Sequence, residues 1–309
     1  MKMSTEINAA QRHNLSGATM GTRWSAVLYA PAGLDLSVIR SELQQAVDQV
    51  DQQMSTWKPD SDLMQLNAAS CGQWLSVPDE LLWVLSSALR ISAESEGAFE
   101  IGVGALVSAC GFGPHAPLNT WPDKQPSARE VLEVDPDNAR VRKHAPITLD
   151  LNGIAKGFAV DQMARCLARH GLTSYLVSID GEMRVSGVKA DGSEWSVALE
   201  KPLKGQREVL GSLALSNTAI ATSGDYRHWR EQNGQVFSHT MNPHTGAPLL
   251  SDLASVSVLC TSCMYADAWA TALMVLGVEH GAQLANAKGL SAIFVVRDGD
   301  EWREVTVGL

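Results

Sequence analysis

The segment Thr148-Leu-Asp-Leu-Asn-Gly-Ile-Ala-Lys-Gly-Phe-Ala-Val-Asp161 constrains this chain more than any other. Ile147 to Leu151 predicts a short strand that runs straight into a helix from about Gly153, with Val160, Met163, Ala164 and Leu167 as its apolar face. The strand delivers Asp150, and Gly153 permits close approach of backbone to another group. Helix N-termini present free N–H groups and the positive end of the helix dipole, a combination that suits phosphate. Lys156 projects a cation from the first turn toward the same place. The pattern equally fits a buried strand–helix turn with a solvated lysine, and these residues alone leave both readings open.

The surrounding chain can support such a turn in a large core. Of its 309 residues, 45% are hydrophobic and 19% charged, an ordinary globular balance. Formal net charge is -10, which argues against nucleic acid or an anionic membrane surface as partner. A phosphate-bearing ligand must therefore meet a local cation. No apolar run approaches the roughly 18 residues needed for a transmembrane segment. The first residues carry no apolar signal region, and the five cysteines are scattered and odd in number, so the expected compartment is the cytoplasm.

Apolar spacing predicts a helix over about 36–54 and a second after Pro78, stopped by Gly97. Thr22 to Tyr29 reads as the first strand. Further strands are expected at Tyr175–Ile179, Glu194–Leu199, Val209–Leu215, Ala219–Thr222, Leu253–Cys260, 291–297 and 303–307, with a helix at Met264–Leu276. A stretch rich in Pro, Gly and Asn, about 111–128, is expected to be an insertion or lid. Strands and helices mix without βαβ alternation, so the fold class is α+β.

Three further groups could carry chemistry. Asp267 and Thr271 lie four apart on one helix face, and a carboxylate beside a hydroxyl suits a hard cation such as Mg²⁺. The same pair also fits a dipole-stabilising Asp and a core Thr. Ala221-Thr-Ser-Gly-Asp-Tyr226 is a strand ending in a polar turn that carries Ser223. Phe237-Ser-His-Thr-Met-Asn-Pro-His-Thr-Gly246 places His239 beside hydroxyls, where it could act as general base or as a structural hydrogen-bonding residue. Cys260-Thr-Ser-Cys263 lacks a second pair at zinc spacing and is read as packing.

Taken in order, these blocks resemble the ApbE family of FAD:protein FMN transferases. The resemblance starts at Thr19-Met-Gly-Thr22 and runs through Met54-Ser-Thr-Trp57, Gly97-Ala-Phe-Glu-Ile-Gly-Val-Gly104 and the blocks around Asp150, Ser223 and Pro243. It ends in the Ala266–Thr271 helix and Val275-Leu-Gly277. It implies a single globule of two interleaved α/β halves over residues 19–309, with a flavin cleft between them and residues 1–18 as an N-terminal arm. Met20, Trp57, Ala98, Phe99, Glu100, Asp150, Lys156, Ser223, Thr240 and Met241 would contact FAD as substrate. Gly153, Asp267 and Thr271 would hold Mg²⁺, and His239 and Asp267 would be the catalytic pair. The implied partner is an acceptor protein with a Ser/Thr flavinylation motif, to which FMN passes while AMP is released.

The sequence departs from the family pattern at four positions. Ala270 stands where relatives can carry an acidic metal ligand, Glu100 where Asp is usual, and Asn242 where Asp is common. Ile179-Asp-Gly181 replaces a Gly-Gly turn, which adds negative charge near the expected phosphate region. Two other activities suit the same residues: hydrolysis of FAD to FMN and AMP, and FAD binding without turnover. Ser16-Gly-Ala-Thr19 resembles an acceptor motif, but it is read here as the segment leading into Met20.

Overall fold

The computed structural model of the protein describes residues 10–114, 126–227, 229–232, 235–299 and 301–309. Its strands are β1 (Gln11–Thr19), β2 (Thr22–Ala30), β3 (Leu75–Ser76), β4 (Leu132–Asp135), β5 (Arg140–Lys143), β6 (Tyr175–Ile179), β7 (Glu182–Ser186), β8 (Trp195–Glu200), β9 (Val209–Leu215), β10 (Ala219–Gly224), β11 (Trp229–Gln232), β12 (Gln235–Ser238), β13 (Met241–Asn242), β14 (Ala247–Pro248), β15 (Leu253–Cys260), β16 (Ser291–Asp298) and β17 (Glu301–Val307). Its helices are α1 (Leu36–Met54), α2 (Asp62–Ala68), α3 (Asp79–Glu94), α4 (Gly104–Ala109), α5 (Ala128–Val131), α6 (Ala155–Arg169) and α7 (Cys263–Lys288).

An eight-stranded antiparallel sheet, in the order β1-β2-β6-β7-β10-β15-β16-β17, organises the molecule. Strand β2 shows how its two faces are used. Trp24, Ala26, Leu28 and Ala30 enter the main core, which also holds buried residues of α1, α6 and α7. Val27 and Tyr29 point the other way, into a smaller cluster built on Val185, Trp195, Val197, Leu215 and Ile220, most of it from the β8–β9 hairpin. This period of two is what a sheet covered on both faces requires. Among the described residues, no helix is long and apolar enough to cross a membrane.

The helices follow their expected capping chemistry. Asp35 caps α1 by accepting from the Ser37 N–H, and Ile39, Leu43, Val47, Val50 and Met54 form its buried stripe. Ser262 caps α7 through the Tyr265 N–H. Asp161, reaching over from α6, accepts from the Cys263 N–H at 3.0 Å, the Met264 N–H at 3.1 Å and the Ser262 hydroxyl at 2.7 Å. One buried carboxylate thus satisfies several donors at the start of α7 and fixes that helix against α6. Arg184 pairs with the same carboxylate.

Gly157 makes the helix crossing possible. A Cβ there would lie 2.4 Å from the Cys263 carbonyl oxygen and 2.8 Å from Asp267 Cβ. Any side chain at 157 would push α7 away from α6.

Several expectations change. Residues 11–18, expected within an N-terminal arm, belong to the edge strand β1, so Thr22–Ala30 is the second strand; residues 1–9 lie outside the described residues. Ile147–Leu151, expected as a strand, joins no sheet among the described residues. Its backbone is satisfied elsewhere: Gly104 N–H donates to Thr148 O, Asp150 N–H donates to Ile101 O, and the Asn67 carboxamide bonds both N–H and C=O of Leu149 at 2.8 and 2.9 Å. The helix expected to end at Leu276 continues to Lys288, because Gly277 absorbs a kink at φ 76° and the chain then resumes the helix. Of the expected insertion over about 111–128, residues 115–125 lie outside the described residues, and Ser127 opens α5 with a capping box completed by Glu130.

Gly157→Ala tests the crossing. Overpacking against a backbone carbonyl should cost about 1–3 kcal/mol and lower the thermal midpoint measured by circular dichroism. An unchanged midpoint would show that the two helices are not held at the distance described.

Candidate functional site

The residues singled out from the sequence converge on one cavity of about 820 Å³. Met20, Trp57, Ala98, Phe99, Glu100, Asp150, Gly153, Lys156, Ser223, His239, Thr240, Met241, Asp267 and Thr271 all line it. The volume lies within the roughly 300–1,000 Å³ of ligand-sized clefts. The cavity opens between the N-terminal end of α6, the first turns of α7, the β6–β7 turn and the segment after β12.

Its floor is where α6 and α7 meet. A Cβ on Gly153 would sit 3.0 Å from Thr271 Oγ1 and 3.3 Å from Phe99 Cε2, so the Gly153 backbone lies directly against Thr271. Thr271 Oγ1 is 3.1 Å from Ser223 Oγ on β10. Asp267 Oδ2 accepts from the Gly157 N–H at 3.0 Å. Gly153, Thr271 and Ser223 therefore meet directly, and Asp267, one turn before Thr271 on α7, lines the same cavity against the first turn of α6.

Charge at this floor is unevenly matched. Lys156 Nζ is 2.9 Å from Glu182 Oε1 and 3.6 Å from Asp180 Oδ2. Burial works against the ammonium, but Glu182, Asp267 and Asp180 outweigh it and hold Lys156 protonated above its ordinary value. Asp267 is 4% exposed. Burial, reinforced by Glu182 and only partly opposed by Lys156 and the Gly157 N–H, pushes its carboxyl up to about 8. Glu182 is buried as well, and its Oε2 has no hydrogen-bond partner among the described residues. Two buried carboxyls beside one ammonium form a pocket suited to additional positive charge.

The remaining residues divide by what occupies their side chains. Met20 is the first residue of a two-residue hairpin turn between paired Thr19 and Thr22, with Met20 at φ 45° and Gly21 at φ 70°. Such turns favour Asn or Gly at that first position, so a Met held there is a strained feature at the cavity wall. Trp57 is 60% exposed and lines the cavity, offering it a large apolar face. The Asp150 carboxylate accepts from the backbone and side-chain nitrogens of Asn152, and burial raises its value; it shapes the turn that presents Gly153. The Glu100 carboxylate accepts from the Gly102 and Ala128 N–H groups and from the Ser127 hydroxyl. Glu100 therefore lines the cavity while tying the segment before α5 to its wall. The Thr240 N–H donates to Ser238 Oγ, and its carbonyl accepts from the Leu249 N–H. Met241 is buried against Leu106 and Val107, and His239 stands edge-on to Phe112 at 6.2 Å between ring centres.

One expectation about the departures is revised. The charge of Asp180, at φ 54° in the β6–β7 turn, is matched by Arg227 Nη1 at 2.8 Å, and Arg227 also pairs with Glu200. Ala270 is fully buried in the main core and does not line the cavity. Thr19 is buried, paired with Thr22 and absent from the cavity lining, so its hydroxyl is not offered as an acceptor. Sequence reasoning missed Glu182, Arg227 and the positioning residue Asp161. Asp161 carried a readable signal, a carboxylate on the apolar face of a helix. Glu182 and Arg227 carried none, because their partners, Lys156 on α6 for one and Asp180 and Glu200 for the other, come from other elements of the chain.

The sequence profile described as the ApbE family matches residues 20–294. The FAD:protein FMN transferase of Vibrio cholerae serotype O1 is 37% identical over 302 residues, covering 96% of this chain and 90% of that protein. The FAD:protein FMN transferase of Escherichia coli K12 is 32% identical, with 94% and 85% covered. Among solved structures, the flavin transferase ApbE from Vibrio cholerae aligns with a TM-score of 0.87 at 36% identity, covering 96% of this chain and 97% of that one. The apo form of the Pseudomonas stutzeri flavinyl transferase ApbE aligns with a TM-score of 0.87 at 33% identity, covering 98% and 96%.

The raised carboxyl of Asp267 has a consequence for stability. Its folded value, about 8, exceeds the ordinary 3.8, so between these pH values the folded state holds more protons than the unfolded state. Metal-free protein should then lose stability as pH rises from about 4 to about 8. Urea melts in EDTA at pH 5 and pH 8 should show that loss reduced in Asp267→Asn relative to wild type. Equal pH dependence in both proteins would contradict the described environment.

Proposed function

The chain belongs to the ApbE family, and from that premise we propose that it is an FAD:protein FMN transferase that uses Mg²⁺ and passes FMN to a Ser or Thr hydroxyl of an acceptor protein. The single observation that carries this reading is the convergence of Gly153, Asp267 and Thr271 beside Lys156 in one ligand-sized cavity.

The donor set fits a hard cation. Asp267 and the Thr271 hydroxyl supply oxygens, the Gly153 backbone lies against Thr271, and buried carboxyls exceed the one ammonium between them. Bound there, Mg²⁺ would supply positive charge to the bridging phosphates of FAD. Lys156 does the same from the first turn of α6, where the neighbouring Ala155 and Gly157 N–H groups are already bonded to Leu151 O and Asp267. The exposed face of Trp57 and the apolar walls from Met20, Phe99 and Met241 suit the ring systems of a flavin dinucleotide.

In the proposed reaction, the acceptor hydroxyl oxygen bonds to the FMN-side phosphorus. The bond from that phosphorus to the bridging oxygen breaks, and AMP leaves with that oxygen. A ring nitrogen of His239 takes the hydroxyl proton. The protein contributes mainly by positioning the reactants and stabilising spread phosphoryl charge. We also propose a cytoplasmic setting, supported by five free cysteines with none in a disulfide.

Mass spectrometry of a Ser/Thr acceptor peptide incubated with enzyme, FAD and Mg²⁺ tests the proposal. It should show one FMN added per peptide and AMP released in equal amount. AMP formed from FAD alone at the same rate, without labelled peptide, would identify a hydrolase instead. Asp267→Ala should lower the transfer rate about 10²–10³-fold, the effect of losing one key electrostatic contact. Full activity in that variant would remove Asp267 from the site.

A further inference from the structure

A second group of potential metal ligands lies away from the cavity, where α1 packs against α6. Cys166 and His170 are four apart near the C-terminal end of α6 and share a face of that helix. Glu42 faces them from α1. Glu42 Oε2 is 2.9 Å from His170 Nε2 and 3.7 Å from Cys166 Sγ, and the three ligand atoms all lie within 4.8 Å of one another. Among the described residues, this is the only group of three His, Cys, Asp or Glu side chains arranged so closely. None of the three lines the flavin cavity.

We propose that Glu42, Cys166 and His170 form a binding site for a thiophilic divalent cation of the Zn²⁺ type. Bonds of 2.0–2.3 Å to sulfur, nitrogen and oxygen in a tetrahedron separate the ligand atoms by about 3.3–3.8 Å, so small side-chain shifts complete the shell. The sulfur sits at the buried base, while Glu42 and His170 stand toward solvent, which leaves the fourth position to water. The mixed S, N, O set selects against Mg²⁺, which prefers oxygen alone. Arg169 Nη2 lies 4.0 Å from Glu42 Oε2, but that side chain is 65% exposed and can turn away. Burial and the Glu42 carboxylate push the Cys166 thiol up to about 11, so at neutral pH the metal displaces a proton from sulfur. An ion here clamps α1 to the helix whose opposite end carries Lys156 and Gly157.

The test uses the full chain, stripped with EDTA and held in excess Mg²⁺ to occupy oxygen-only sites. Co²⁺ is added as a spectroscopic probe and then displaced with Zn²⁺. Wild type should bind one equivalent of Co²⁺ with a near-ultraviolet thiolate-to-metal charge-transfer band, and Zn²⁺ should abolish the band and raise the thermal midpoint. Cys166→Ser should lose the band. The half-exposed His170→Ala, which spares the core, should weaken Co²⁺ binding at least tenfold while leaving flavin transfer in Mg²⁺ unchanged. No band in wild type at millimolar Co²⁺, a band that persists in Cys166→Ser, or unaltered affinity in His170→Ala would each overturn the site.

Discussion

Everything at the functional site depends on how closely α7 crosses α6. That crossing is set by an absent side chain and a buried carboxylate. Gly157 lets the Cys263 carbonyl approach to where a Cβ would otherwise stand, and Asp161, one turn later, gathers the N–H groups that begin α7. With the helices so locked, Asp267 has a single place to go: against the Gly157 N–H, beside Lys156, under the turn that carries Gly153. A looser crossing would admit water between the helices, and the charge balance that distinguishes this floor would be lost to solvent screening.

Electrostatics explain how an acidic protein with a net charge of -10 can serve an anionic dinucleotide. Its positive charge is local rather than global. Lys156 is held protonated by the carboxylates around it, and the N-terminal end of α6 points into the same cavity. The extra negative charge that Asp180 brings is absorbed by Arg227, which also reaches Glu200 at the end of β8. The β6–β7 turn and the β8–β9 hairpin are thereby tied across one wall. Asp267 and Glu182 share the single ammonium of Lys156, and Asp267 holds its proton until a cation takes its place.

Much of this was legible in the sequence, and the reasons are specific. Helices α1, α3 and α6 were readable because their buried residues repeat at the helical period. Strand β1 was not, because Gln11–Thr19 is an edge strand that buries only Thr19 and lacks apolar alternation, and its turn uses Met at positive φ instead of Asn or Gly. Ile147–Leu151 carried the pattern of a strand because all of it but Thr148 is buried; that a side chain, Asn67, would stand in for the neighbouring strand left no periodic trace. In the site, Asp267 and Thr271 could be paired from their spacing along one helix. The meeting of that helix with Gly153 could be inferred only from the order of motifs shared with a family. Glu182 meets Lys156 of α6, and Arg227 meets Asp180 and Glu200, contacts between separate elements that no local signal announces.

The most direct measurement is anomalous diffraction from crystals grown with FAD and Mn²⁺ in place of Mg²⁺. The account predicts a manganese peak within bonding distance of Asp267, Thr271 and the Gly153 backbone, touching the dinucleotide's phosphates. FAD bound in the cavity with no peak there, or with the metal held by other residues, would contradict it.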